Sequence, residues 1–175
     1  GVIVLGYTMM GGVRAVAWTD FIQGLIMVFG LVVVSVVAMQ SLGGFSGMLV
    51  EVEKTSPVTL EWTGGKSTAA FLGSMVGLLG IGLGYPGQPH VVTRYMAAKN
   101  TEVIKNGTWI ALGWGLLIYS SSILLGLCGQ VLFPGLEDPE HLFPIAAEQL
   151  LPTLLTAIVL TGVFSAIMYT VSPQI

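Results

Sequence analysis

Charged side chains are missing from four long stretches of the chain. Residues 21–41, 69–92, 107–133 and 150–171 are each almost continuously apolar. A helix that crosses a bilayer needs ~20 mainly apolar residues, so each stretch predicts a transmembrane helix. Residues 1–10 form a shorter apolar run, too short to span, which reads as the tail of a preceding span. The connections carry the polar residues. Residues 42–68 are punctuated by Gly43-Gly44, Pro57 and Gly64-Gly65, with room for a short helix in the middle. Between Pro134-Gly135 and Leu151, the apolar positions Leu142, Phe143, Ile145 and Ala146 suit a short helix lying at the membrane surface. The plainer reading of both loops is a solvated connector packed over the helix ends.

The second apolar stretch differs from the others. Gly73, Gly77, Gly80, Gly82, Gly84 and Gly87 fall within it, with Pro86 and Pro89 beside the last of them. Glycine costs ~1 kcal/mol and proline ~3 kcal/mol in an exposed helix interior. Gly73 and Gly77 are accounted for by close helix packing through small residues. The run 82–89 goes further, because packing alone does not call for two prolines among three glycines. In lipid, interrupted backbone is tolerated only against protein or a water-filled cavity. Broken helices of this kind mark the binding site of secondary transporters.

Composition supports the membrane reading and removes other classes. Of 175 residues, 54% are hydrophobic and only 9% charged, where a soluble domain has roughly 25% charged. Mean hydropathy is +0.87. Six basic and nine acidic side chains cannot cover a water-facing surface of this size, so lipid is the expected surrounding. The apolar content excludes disorder. Six dispersed basic residues and a net charge of −3 argue against nucleic-acid binding. The single cysteine, Cys128, excludes an intramolecular disulfide and reads as a small packing residue. No paired acids or histidine clusters occur within the spans, which makes a membrane enzyme a poor fit.

Orientation follows Lys/Arg placement. Arg14, Arg94, Lys99 and Lys105 lie at one side, Lys54 and Lys66 at the other. The Arg94 loop is therefore expected in the cytoplasm, with the four spans running outward, inward, outward and inward. Asp20 is the one acid at the head of the first full span. An acid at a membrane edge is a functional candidate, and Thr19 or Asp20 is equally suited to cap the helix that follows.

Three segments carry a family resemblance. Gly11-Gly12-Val13-Arg14-Ala15-Val16-Ala17-Trp18-Thr19-Asp20-Phe21-Ile22-Gln23 resembles a GG-x-x-AV-x-WTD-x-x-Q signature of the sodium:solute symporter family. Gly82-Leu83-Gly84-Tyr85-Pro86-Gly87-Gln88-Pro89-His90, continuing to Arg94 and Met96-Ala97-Ala98, is similar to the family's sodium/proline branch. Residues 161–174 resemble its sodium-binding helix. The segments lie in the family's order and the likeness covers essentially the whole chain.

The resemblance implies an all-α polytopic fold of the leucine-transporter type, two inverted five-helix repeats around a central site. This chain would supply core helices five to eight, as an internal piece whose partners include the remaining helices of a longer protein. It implies sodium-coupled symport of a small organic solute, a carboxylate with proline first, in a prokaryotic cytoplasmic membrane. A solute-sensing membrane domain of the same fold is the alternative.

Residue by residue, the resemblance places Tyr85 beside the solute and Gly82 at the break. Tyr85 is also explicable as a packing anchor. Ile81 falls where proline symporters carry tryptophan and sugar symporters a polar side chain, and so departs from both. Gln88 and His90 read as structural parts of the turn. The sodium ion is implied at Ala166 and Thr170, with Tyr169 in place of the usual serine, and Asp20 on the ion's path toward the cytoplasm. Thr170 is equally able to bond back to its own helix.

Overall fold

A computed structural model describes the backbone of residues 2–171, and their side chains apart from those of 2–13, 15–16, 90 and 168–171. Every regular element among the described residues is helical. Seven α-helices follow one another: α1 (Val2–Ser41), α2 (Gly44–Thr55), α3 (Thr68–Gly84), α4 (Pro89–Met96), α5 (Thr101–Leu132), α6 (Leu142–Leu150) and α7 (Thr153–Val171). Single 3-10 turns lie at Pro57–Leu60, Tyr85–Gly87 and Pro139–His141. Ala17–Ser41, Thr68–Gly87 and Thr101–Leu132 are each long and apolar enough to cross a membrane.

Helix α1 is longer than its apolar stretch. The backbone stays helical through Gly11-Gly12, so the run 1–10 is not set apart from the first full span. Two glycines weaken a helix but do not stop it, and no proline stands between Val2 and Ser41. Asp20 consequently lies inside α1 rather than at its head, and the capping role expected for Thr19 or Asp20 is not realised. The helix ends where Gly43 and Gly44 take φ of 85° and 81°, a conformation that L side chains avoid. Helix α5 also starts earlier than its hydropathy suggests. Asn100 caps it, its Oδ1 accepting from the Val103 N–H at 2.9 Å, so the mixed segment 101–106 joins the helix.

The packed core gathers at the Ser41 end. Val34 and Ala38 of α1, Met48 and Val52 of α2, Leu125 and Cys128 of α5, Ala146 and Ala147 of α6, and Val159 of α7 form one buried cluster. Cys128 is fully buried there as a small packing residue. Met48 and Val52 sit four apart on one face of α2, which turns that face onto the cluster. Both loop helices are thus packed over the helix ends. Ser35 adds a polar fastening: its hydroxyl lies 2.8 Å from the Ser121 carbonyl of α5 and 2.7 Å from Leu31 O on its own helix.

Helices α1 and α7 run antiparallel and approach closely through glycine. A Cβ placed at Gly30 would lie 3.4 Å from Val159, and one at Gly162 would lie 3.5 Å from the Ile26 carbonyl and the Met27 Cα. Helix α3 behaves differently. It buries none of its residues, and among the described residues its main packing is against the turn that follows it. A helix apolar on all sides belongs in lipid or against further protein.

The chain ends of these elements give a topological test. Arg94 of α4 and Asp20 of α1 meet in space, which places the start of the first span and the end of the second on the same side. A cysteine introduced at Lys99 in the full-length protein should be labelled by an impermeant reagent from the cytoplasmic side only, and one at Lys54 from outside only. The reverse pattern would overturn the orientation.

Candidate functional site

The second span is broken where its glycines and prolines predict. Helix α3 stops at Gly84, one 3-10 turn covers Tyr85–Gly87, Gln88 is extended (φ −70°, ψ 136°), and α4 restarts at Pro89. The cause is local chemistry. Pro86 has no N–H to return to the Gly82 carbonyl, and Pro89 has none for Tyr85. The Tyr85 carbonyl is recovered by the Gln88 N–H at 3.2 Å, and the Gln88 carbonyl accepts from Val91 and Val92 at 3.0 Å. The Gly82 carbonyl receives no such replacement from Pro86, which leaves an acceptor at the break.

The side chains around that acceptor are open. Ile81 is 72% exposed and Tyr85 55%. A Cβ at Gly82, Gly84 or Gly87 would meet nothing within 4 Å. The break therefore offers an aromatic face, a branched aliphatic side chain and a backbone oxygen side by side. Such a set can cover an apolar ring and accept a hydrogen bond from an amine.

A second constellation lies where α4 touches α1. Arg94 Nη2 donates to Asp20 Oδ2 at 2.8 Å. The Asp20 side chain is 10% exposed and the Arg94 side chain 50%. This pair joins two segments 74 positions apart and ties the broken helix to α1. Nothing in the sequence singles out the pairing, although both residues fall within the family-like motifs. Gln23, one turn further along α1, is half-buried, and its Oε1 is shielded from solvent. Ala166 is partly buried on α7 next to buried Ser165.

The expected site residues thus fall into two groups. Ile81, Gly82 and Tyr85 come together at the break. Asp20 and Ala166 lie on the adjacent helices α1 and α7. The side chains of Tyr169 and Thr170, as well as that of His90, lie outside the described residues. The structure does not bring the break against α7.

An interrupted apolar helix beside a bundle of spanning helices defines a multi-pass membrane protein with a transporter-like helix break. The model of the sodium:solute symporter family matches residues 1–175. The chain belongs to that family. It is 34% identical to the high-affinity proline transporter PutP of Bacillus subtilis, over 99% of this chain and 37% of the relative. It is 35% identical to the osmoregulated proline transporter OpuE of the same organism, over 99% and 35%. A sodium/proline symporter of Staphylococcus aureus is 36% identical over 99% and 34%. The chain spans about a third of the length of these relatives. No solved structure matches it.

Proposed function

We propose that the full protein is a sodium-coupled symporter of proline or a closely related small carboxylate in a bacterial cytoplasmic membrane. The observation that carries the reading is the break at 85–88, with Tyr85, Ile81 and the Gly82 carbonyl presented together. The Tyr85 ring covers the apolar ring of the solute, and the Gly82 carbonyl accepts from its ammonium group. Ile81 supplies a flat aliphatic wall rather than an aromatic one, which favours a small saturated ring. The relatives named above are proline transporters, and that supports the choice of solute.

Sodium is cargo in this scheme, moving down its gradient and taking the solute with it. The Ala166 carbonyl and the Thr170 hydroxyl are the α7 oxygens assigned to it, with Tyr169 adding a phenol oxygen where a serine would be smaller. Asp20 attracts the ion at the inner end of the apolar part of α1. Binding of sodium stabilises the outward-open form, solute fills the break, and the bundle rocks inward. No covalent step is required.

The test is uptake by the full-length protein in proteoliposomes with an imposed sodium gradient. Proline should accumulate, and removal of the gradient should abolish accumulation. Tyr85→Ala should weaken proline binding by ~1–3 kcal/mol, the scale of an aromatic contact with its buried area. A well-folded Tyr85→Ala variant with unchanged proline affinity would move the solute site elsewhere.

A further inference from the structure

We infer that Gln23 is an ion ligand, the oxygen that takes sodium between α7 and Asp20. The inference rests on the sodium-coupled reading above and adds a residue to which that reading gives no role. Three observations converge. First, Gln23 Oε1 is closed off from solvent and has no hydrogen-bond partner among the described residues. A shielded amide oxygen left so is costly unless a donor, a water or a cation meets it, and beside the Asp20 carboxylate a cation is favoured. Second, Gln23 and Asp20 are three residues apart, so their side chains share one face of α1. The amide oxygen and the carboxylate form a short track along that face.

Third, the packing of α1 on α7 fixes what stands opposite. Gly30 faces Val159, and Gly162 faces Ile26 and Met27. In an antiparallel pair each turn back along α1 is matched by a turn forward along α7. One more turn puts Gln23 level with Ala166.

The chemistry suits a monovalent hard cation. A neutral amide oxygen binds sodium without trapping it, whereas a carboxylate at the same depth would hold it too long. Asp20 then receives the ion nearer the membrane edge, where Arg94 already holds the carboxylate at 2.8 Å. The arriving ion competes with the guanidinium, and the returning guanidinium helps to expel it. Oxygens of graded strength in sequence allow entry and exit, as conduction requires.

The experiment is proline uptake by the full-length protein, titrated with sodium at fixed pH, in wild type, Gln23→Leu and Gln23→Glu. Gln23→Leu keeps the volume and removes the oxygen. It should raise the half-saturating sodium concentration about tenfold or more, the usual range when a group supporting an ion is lost. Its KM for proline at saturating sodium should stay within about twofold of wild type. Gln23→Glu keeps an oxygen at that position and should lower the half-saturating sodium concentration while slowing turnover. It also serves if the leucine variant fails to fold. Sodium titrations of either folded variant that superimpose on wild type would overturn the role of Gln23 and leave sodium-coupled transport standing. A wild type without sodium dependence would overturn both.

Discussion

Charge reversal at Arg94 in the full-length protein is expected to abolish sodium-driven uptake, with a loss of about a hundredfold or more. Arg94→Glu would set two carboxylates against each other where a guanidinium now sits 2.8 Å from Asp20. The two partners are unequally buried, and this makes the single deletions unequal. Asp20→Asn leaves a half-exposed guanidinium that water can solvate, at a cost of about 0–1 kcal/mol in stability. Arg94→Ala leaves a carboxylate in a nearly dry position without its guanidinium, at a cost of about 2–4 kcal/mol. Thermal unfolding in detergent should rank the variants in that order. The exchanged pair Asp20→Arg with Arg94→Glu should recover stability, since the attraction is restored. It should not recover sodium dependence, because the acid has moved to the other helix. An exchanged pair as unstable as Arg94→Glu alone would show that the contact does not hold α4 to α1.

A bulky side chain at Gly162 is expected to have the largest effect on folding. The Cβ position there lies 3.5 Å from both the Ile26 carbonyl and the Met27 Cα, ordinary van der Waals contact. Gly162→Ala should therefore be close to neutral. Gly162→Leu has nowhere to place its branch, since the opposing atoms are backbone and cannot rotate away. Forcing the helices apart should cost about 3 kcal/mol or more, seen as a fall in purified monodisperse protein and in its melting temperature. A leucine variant as stable as the alanine one would mean that α1 and α7 do not meet at this register.

Most of the architecture is readable from the chain because a bilayer permits few alternatives. Runs of ~20 apolar residues become helices, since lipid offers no partner to the backbone. The break at Tyr85–Gly87 is readable too, because Pro86 and Pro89 lack donors wherever they stand. Helix ends are less so. The start of α5 at Thr101 follows from the Asn100 cap and not from hydropathy. The continuity of α1 through Gly11-Gly12 follows from the lack of proline there, since two glycines weaken a helix without stopping it.

The candidate site divides along the same line. Tyr85, Gly82 and Ile81 are neighbours in sequence, so their meeting is legible in advance. The Asp20–Arg94 pair and the alignment of Gln23 with Ala166 depend on how helices from distant parts of the chain lie together. A single sequence holds no distance between them. Gln23 carries one available signal, an amide near the start of a mainly apolar span, and is legible only as part of a motif.

The fastening of α1 to α5 through Ser35, within the cluster at the Ser41 end, sets where this bundle can move. Helices α1 and α7 stay in contact beyond the knot, through Gly30 and Gly162, and so swing from it together as one leg. From Val34 to Ala17 the leg measures about 25 Å at 1.5 Å per residue. A tilt of about 10° at the knot hardly shifts Ser35, yet it carries the far end sideways by about 4 Å, wider than a water molecule. The foot of that leg is where Asp20 and Arg94 touch. A small angular change at the packed end is thus magnified into a displacement of several ångströms at the charged end.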